Sequence, residues 1–416
     1  MVSLKKNKAN IRILIIFYIS FNLFTLFLFD FGPTKYEVNN SFQLHVLIYS
    51  YIFSYVLGLA SFKGKVQENS NEIQRYNDQK MLKRLNKGIY INLILFVIFA
   101  INSNGCKTIS AFLFRIVNGI KNPSLLYYDK ILDNLSSNQF ISLLSYLLYP
   151  YMLYILLGSI YNFKKIKLTS KFIVVFTVII ELLKWFGVGT NKGIFDILIL
   201  AISLFLIYRI KRDSYSEEKT KIKLKYKLMI IIGFMLCFGL FNYFISSRLN
   251  ETNLSFNSSM YNGYKHFSGY LTNGYKGMDY TLSLNWEPTF GFGSSMFLST
   301  QMDKYIKTNI FEHTYQKRAE IFGWSATVKW HTMYSWFAND FSYIGVILVM
   351  FLLGRLTSRN INDFIFNHDY RSLVLFYLMI MMIFYSSANN QVFSVVTSLI
   401  AFWFFFLSKI IFRRRG

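Results

Sequence analysis

Residues 11–29, IRILIIFYISFNLFTLFLF, decide the fold class, because Arg12 is the only charged residue in the run and apolar and polar positions do not alternate. At 1.5 Å per residue, about twenty such residues cross a hydrocarbon core about 30 Å thick. Inside lipid, only a helix satisfies its own backbone hydrogen bonds over so continuous a run, and the missing period of two excludes a β-barrel. The run is long, rich in aromatics and not followed by a small-x-small cleavage site. It therefore reads as a membrane anchor rather than a secretory signal.

The same pattern recurs along the 416 residues, giving ten expected spans: Ile11–Phe29, Phe42–Phe62, Ile89–Asn102, Phe140–Tyr161, Phe172–Phe186, Gly193–Tyr208, Leu228–Ser247, Trp336–Gly354, Ser372–Ser387 and Val392–Ile411. The third, fifth and ninth are short for a bilayer. With 53% hydrophobic and 16% charged residues, the chain has too little polar surface for an ordinary soluble globule. The expected fold is an all-α polytopic membrane protein of about ten helices. Helices one to seven fall in residues 1–247, one large outer loop in 248–335, and helices eight to ten in 336–416.

Basic residues set the orientation, since Lys and Arg flanking spans are retained on the cytoplasmic side. They cluster at Lys5–Arg12, Lys63–Lys87, Lys164–Lys171, Arg209–Lys227, Arg355–Arg371 and Lys409–Arg415, which are alternate connections if both termini are cytoplasmic. The net charge of +24 is then mainly a topology signal and a contact with anionic membrane lipid, not a nucleic-acid surface. Cys106 and Cys237 lie in different surroundings and make neither a disulfide framework nor a metal cluster. No HExxH, CxxC, Walker-type or GxGxxG spacing occurs, which argues against an ATP-driven pump or a zinc protease. No metal and no cofactor is expected.

Polar residues concentrate on the outer side. The loop opens Asn- and Ser-rich at Asn250–Ser259, turns Gly- and Tyr-rich over Tyr261–Tyr280, then reaches a Trp-Glu-Pro turn and the small-residue run Gly291–Ser295. Aromatic rings interleaved with Asn, Asp and Glu suit sugars, whose C–H faces pack on rings while their hydroxyls need polar partners. An interfacial aromatic belt gives the same composition. A second outer feature is GVGTNKG, Gly187–Gly193, which combines glycines, a helix start and the Lys192 ammonium into a phosphate-binding pattern. A tight hairpin with a snorkelling Lys reads equally well. Arg115, within the apolar stretch Ile109–Ile120 of an interfacial or re-entrant helix, is a further outer cation or another snorkelling side chain. Glu181 and Lys184, three apart, are expected to pair with one another. Asp340, in WFANDFSYIG (336–345), is either a general base or a helix cap shared with Asn339.

Residues 268–296, SGYLTNGYKGMDYTLSLNWEPTFGFGSSM, resemble the signature of bacterial O-antigen polymerases, the oligosaccharide repeat-unit polymerases of the Wzy type. The resemblance is carried by Gly269 and Tyr270, an Asn273–Gly277 turn, Trp286, Thr289, Gly291, Gly293 and Ser295. It continues through Trp330-His331, Trp336, Ala338-Asn339-Asp340 and Gly345, and through the GTNKG run; together these cover roughly a quarter of the chain. It implies a glycosyltransferase at the periplasmic face of the bacterial inner membrane. A hydroxyl of one lipid-linked oligosaccharide attacks the anomeric carbon of another, and polyprenyl pyrophosphate leaves. Such chemistry needs cations for the leaving group, a base for the acceptor proton and a groove for glycan. The candidate cations are Lys192, Arg248, Arg318 and Lys329, with Arg115 as a further point. The candidate bases are Glu287, His331 and Asp340, and the candidate glycan contacts are Tyr270, Tyr275 and Trp286. The resemblance leaves room for a chain-length regulator and a flippase as partners. An O-antigen ligase shares topology and donor. A transporter or flippase of lipid-linked oligosaccharide is the alternative from another class, and it would place charges deep in several spans.

Overall fold

The computed structural model describes residues 9–62, 71–131, 137–215, 224–248 and 256–412. Among these there is no strand. The helices are α1 (Arg12–Phe31), α2 (Ser41–Ser61), α3 (Asn71–Ser103), α4 (Ile109–Lys121), α5 (Pro123–Ile131), α6 (Gln139–Tyr161), α7 (Leu168–Phe186) and α8 (Lys192–Tyr215). They continue with α9 (Leu224–Arg248), α10 (Phe256–Leu282), α11 (Met296–Ile306), α12 (Tyr315–Arg318), α13 (Met333–Asn367), α14 (Tyr370–Tyr385), α15 (Gln391–Ser394) and α16 (Val396–Phe412). The described residues are all-α, and among them six helices are long and apolar enough to cross a membrane: α1, α2, α6, α13, and the parts of α3 and α8 at Asp78–Ser103 and Lys192–Ser214. The expected span over 392–411 is broken at Val395, which separates α15 from α16, and the one over 372–387 leaves its helix after Tyr385.

Two compact units divide the chain. The first joins Met1–Asn69, Leu206–Tyr215 and Phe267–Gly416, and the second joins Ser70–Phe205 and Ser216–His266. The expected outer loop is thus shared between them at 266/267.

In the first unit α2 lies along α13. Tyr51, Ser54, Tyr55 and Gly58 recur at the three- and four-residue spacing of one helix face. Their side chains bond α13 directly: Tyr51 to the Tyr343 carbonyl at 2.8 Å, Ser54 to the Ile347 carbonyl at 2.6 Å, and Tyr55 to Thr357 Oγ1 at 2.9 Å. Glycine makes the approach possible. A Cβ on Gly58 would lie 2.0 Å from the Phe351 carbonyl oxygen, and one on Gly354 would lie 2.2 Å from that of Tyr55. Small residues that let two backbones touch are the usual device of helix pairs in lipid, where burial of apolar surface gives no drive of its own. Gly354→Ala is therefore expected to push the helices apart at a cost of about 1–3 kcal/mol. The check is the melting temperature of detergent-purified protein, and an unchanged value would refute the contact.

Gly- and Asn-rich sequence is a poor helix former, which is why 273–277 reads as a turn, yet the segment lies inside α10. Tertiary contacts override propensity here. A Cβ on Gly274 would meet the Ser387 carbonyl oxygen at 2.2 Å, and one on Gly277 would meet Trp324, Trp330 and His331 at 2.7, 2.7 and 2.9 Å. Polar side chains on the same helix tie down the α1–α2 connection. Asp279 accepts from the backbone N–H of Asn40 at 2.7 Å and from Lys276 at 3.0 Å, and Lys276 also donates to the Glu37 carbonyl. Tyr36 donates to Asn273 at 2.7 Å.

The second unit packs α3, α4, α6 and α7 around Phe96, Phe99, Phe112, Ile116, Met152, Leu156 and Ile180. Glu181 and Lys184 pair at 2.5 Å, as their spacing predicts. One basic residue of the C-terminal cluster has a packing role. Lys409 is buried and donates to Asn360, Asp363 and Ser372 at 2.7, 2.7 and 2.6 Å.

Candidate functional site

In the first unit the site is built outward from Asn339 and Asp340. Thr332 caps α13, its hydroxyl accepting from the Ser335 N–H at 3.1 Å, so neither Asn339 nor Asp340 is the cap. Asp340 instead gathers residues 289–294. Its carboxylate accepts from Thr289 Oγ1 at 2.6 Å, from the N–H groups of Gly291, Gly293 and Ser294 at 2.8, 3.2 and 2.8 Å, and from Ser294 Oγ at 2.5 Å. Asn339 completes the staple. It accepts from the Tyr315 N–H at 2.8 Å, donates to the Gly293 carbonyl and to Gln316, and its own carbonyl takes the Trp286 indole N–H at 3.0 Å. Gly291, at φ +92°, takes a backbone form that favours glycine, and Phe290 beside it stands at φ +53° with its ring exposed. Two residues past Asp340 the helix breaks at Ser342, with φ 57° and ψ 165°.

Beside the stapled loop stand three ionisable side chains. Glu287 Oε2 lies 2.6 Å from His313 Nδ1, and Glu287 Oε1 lies 3.1 Å from Arg318 Nη1. Arg318 also donates to the Asn285 carbonyl at 2.9 Å, which fixes the guanidinium against the chain that carries Glu287. Trp286, half-exposed, stands next to this group in sequence. Glu287, Arg318 and Trp286 were expected from the sequence. His313, 26 residues beyond Glu287 in the chain, was not, because no local spacing links a pair that only the loop's path brings together.

A second cluster lines α10. Tyr270 meets Trp330 edge-on at 4.9 Å, Tyr280 stacks on Phe322 at 5.3 Å, and Trp324 donates its indole N–H to the Trp330 carbonyl at 3.0 Å. Lys329 lies 4.5 Å from the Trp324 ring centre, a cation–π distance. His331 is buried here, and neither ring nitrogen has a hydrogen-bond partner among the described residues. Burial pushes its pKa down to about 3, so the ring is neutral at ordinary pH and a weak base. An unfolded His takes a proton below about pH 6.5 while the folded one does not, so stability is full above that value and falls as pH drops toward 3. At pH 5 the loss is about 2 kcal/mol. His331→Gln should flatten that part of the stability–pH curve, read by thermal melts between pH 7 and 5. A curve that keeps its slope in the variant refutes the assignment.

The remaining candidates lie elsewhere. Tyr275 is buried in the core with its hydroxyl 2.9 Å from that of Thr25, and offers nothing to a glycan. Arg248 ends α9, and its side chain lies outside the described residues. Lys192 and Arg115 belong to the second unit. There Lys192 opens α8 and pairs with Asp196 at 2.6 Å. Arg115 lies on α4, donates from Nε to the Gly187 carbonyl at 3.1 Å and faces Asp129 at 3.5 Å.

Comparison with family models, curated proteins and solved structures finds no match to this chain. A functional reading therefore rests on the geometry above and on the residues that carry the resemblance.

Proposed function

We propose that this chain is a glycosyltransferase of the bacterial inner membrane, with about ten spans, both termini cytoplasmic and its site on the periplasmic face. In this reading it joins polyprenyl-pyrophosphate-linked O-antigen repeat units. One observation carries the proposal: Trp286, Thr289, Gly291 and Gly293, singled out by resemblance, all converge on Asn339 and Asp340, some fifty residues away. A motif scattered along the chain is one built object.

Among the three candidate bases, Glu287 has the surroundings the chemistry needs. Asp340 already accepts five hydrogen bonds, and His331 is buried and weakly basic. Glu287 is partly exposed and held from both sides. Its carboxylate takes the proton of the acceptor hydroxyl as that oxygen bonds to the anomeric carbon and the bond from this carbon to polyprenyl pyrophosphate breaks, and His313 shares the proton through the 2.6 Å contact. Arg318 fixes the carboxylate and presents positive charge beside it. Trp286, Phe290 and Phe322, partly or largely exposed, give faces on which sugar rings stack.

The deciding experiment is the banding of lipopolysaccharide from a deletion strain, complemented with the wild-type gene. Loss of the long ladder with a single repeat unit kept on the lipid core supports polymerisation. Loss of all repeat units from the core, with polymer accumulating on its lipid carrier, would assign a ligase. An unchanged ladder sinks both and returns the question to transport.

A further inference from the structure

We infer that the second unit holds a binding site for the phosphate group of a lipid headgroup, built around Trp185 and the loop Gly187–Lys192. Three ammonium groups surround one indole ring: Lys192, Lys184 and Lys130 lie 4.8, 4.9 and 5.7 Å from its centre. Lys184 and Trp185 Nε1 share one oxygen of Glu181, at 2.5 and 3.2 Å, and Lys192 binds both oxygens of Asp196. Each ammonium has three donors, so Lys184 and Lys192 keep hydrogen-bonding capacity beyond these carboxylates.

The loop adds an independent observation. Asn191, directly before α8, is only 4% exposed, and neither its amide nitrogen nor its amide oxygen has a partner among the described residues. Asn104 Oδ1, against Gly187, is likewise buried without a hydrogen bond, and Arg115 Nη2 has only the ion pair with Asp129 at 3.5 Å. Buried polar atoms left unpaired are costly, and several around one loop mark a place that a polar group fills. Arg115 Nε and Asn104 Nδ2 hold the backbone at Gly187 and Lys184, at 3.1 and 3.2 Å, and Gly189 at φ +63° turns the chain into α8. The start of that helix adds its own partial positive charge.

The ligand is a phosphate or pyrophosphate ester on a lipid rather than a free ion. Arg115 rides on α4, whose Ile109, Leu113, Val117 and Ile120 form an exposed apolar stripe at helical spacing, with Phe114 beside it. Its opposite side, Phe112 and Ile116, packs in the unit's own core. A helix that is apolar on its outer stripe and cationic at its edge lies along a membrane surface, with acyl or isoprenoid chain against the stripe and phosphate at Arg115. The inference needs only a membrane setting, and stands or falls separately from glycosyl transfer.

The test uses the full chain purified in neutral detergent, with tryptophan fluorescence read during titration with farnesyl pyrophosphate, short-chain phosphatidylglycerol, inorganic pyrophosphate and, as a control, short-chain phosphatidylcholine. A saturable change with a phosphate lipid is expected, lost in Trp185→Phe and weakened at least tenfold in Lys192→Gln and in Asn191→Asp. The last variant is nearly isosteric and, if Lys192→Gln melts early, still reports the repulsion of an anion. Tighter binding of farnesyl pyrophosphate identifies an isoprenoid headgroup, and tighter binding of phosphatidylglycerol a bulk phospholipid; both support the site. Equal response to inorganic pyrophosphate would overturn the lipid assignment. No saturable change, a change that survives in Trp185→Phe, or unaltered affinity in both charge variants would overturn the site itself. The lipopolysaccharide ladder is a separate measurement, so either proposal can fail alone.

Discussion

Replacing Asp340 with Ala is expected to release residues 289–294 from α13 and cost about 3–5 kcal/mol, because several hydrogen bonds to one charged group are lost together. The three backbone N–H groups of Gly291, Gly293 and Ser294 have no other acceptor in that turn, and Gly293 is buried. The expected readouts are a melting temperature several degrees lower and rapid proteolysis near Phe290 in detergent. Asp340→Asn refines the test. An amide keeps one acceptor oxygen but turns an NH2 toward donors, so it should fall between wild type and Ala in stability. An Asn variant that melts like wild type yet makes no polymer would show Asp340 to be the base and overturn its anchoring role.

Glu287→Gln should behave in the opposite way, with polymer synthesis down about 10²- to 10⁴-fold, the range a positioned general base supplies, and with melting almost unchanged. The amide preserves size, and its oxygen can still accept from Arg318, so little packing is lost. Its side chain is 41% exposed, which limits the contribution of its two ion pairs to stability. Incorporation of labelled lipid-linked repeat units by purified protein measures the effect. His313→Gln, which loses only the second proton carrier, should slow the reaction less than Glu287→Gln does. Full activity in Glu287→Gln would remove it as the base and leave the stapled loop as a binding platform.

Much of the architecture was legible. Apolar runs of bilayer length are local properties, set by composition over about twenty residues, and nine of the ten expected spans fall mainly within one helix, while the last is divided at Val395. Pairing of Glu181 with Lys184 follows from helical spacing. The helix over 256–282 was not legible, since its glycines and asparagines oppose helix formation and acquire their use only against Trp324, Ser387 and the α1–α2 connection. The role of Asp340 was ambiguous for a related reason: cap and base are both local readings, and its actual partners lie 46–51 residues away.

By itself, then, the order of residues determined that the chain is helical and apolar enough for a membrane, which of its residues are rare and polar, and where glycines allow close approach. Tertiary structure alone decided that Glu287 meets His313 and Arg318, that Tyr275 and His331 are buried, and that Arg115 joins the Gly187 loop. The physical reason is range. Hydropathy and helical period act over one to six turns of chain, whereas a hydrogen-bonded site is made by groups that approach within about 3 Å only after the helices have packed.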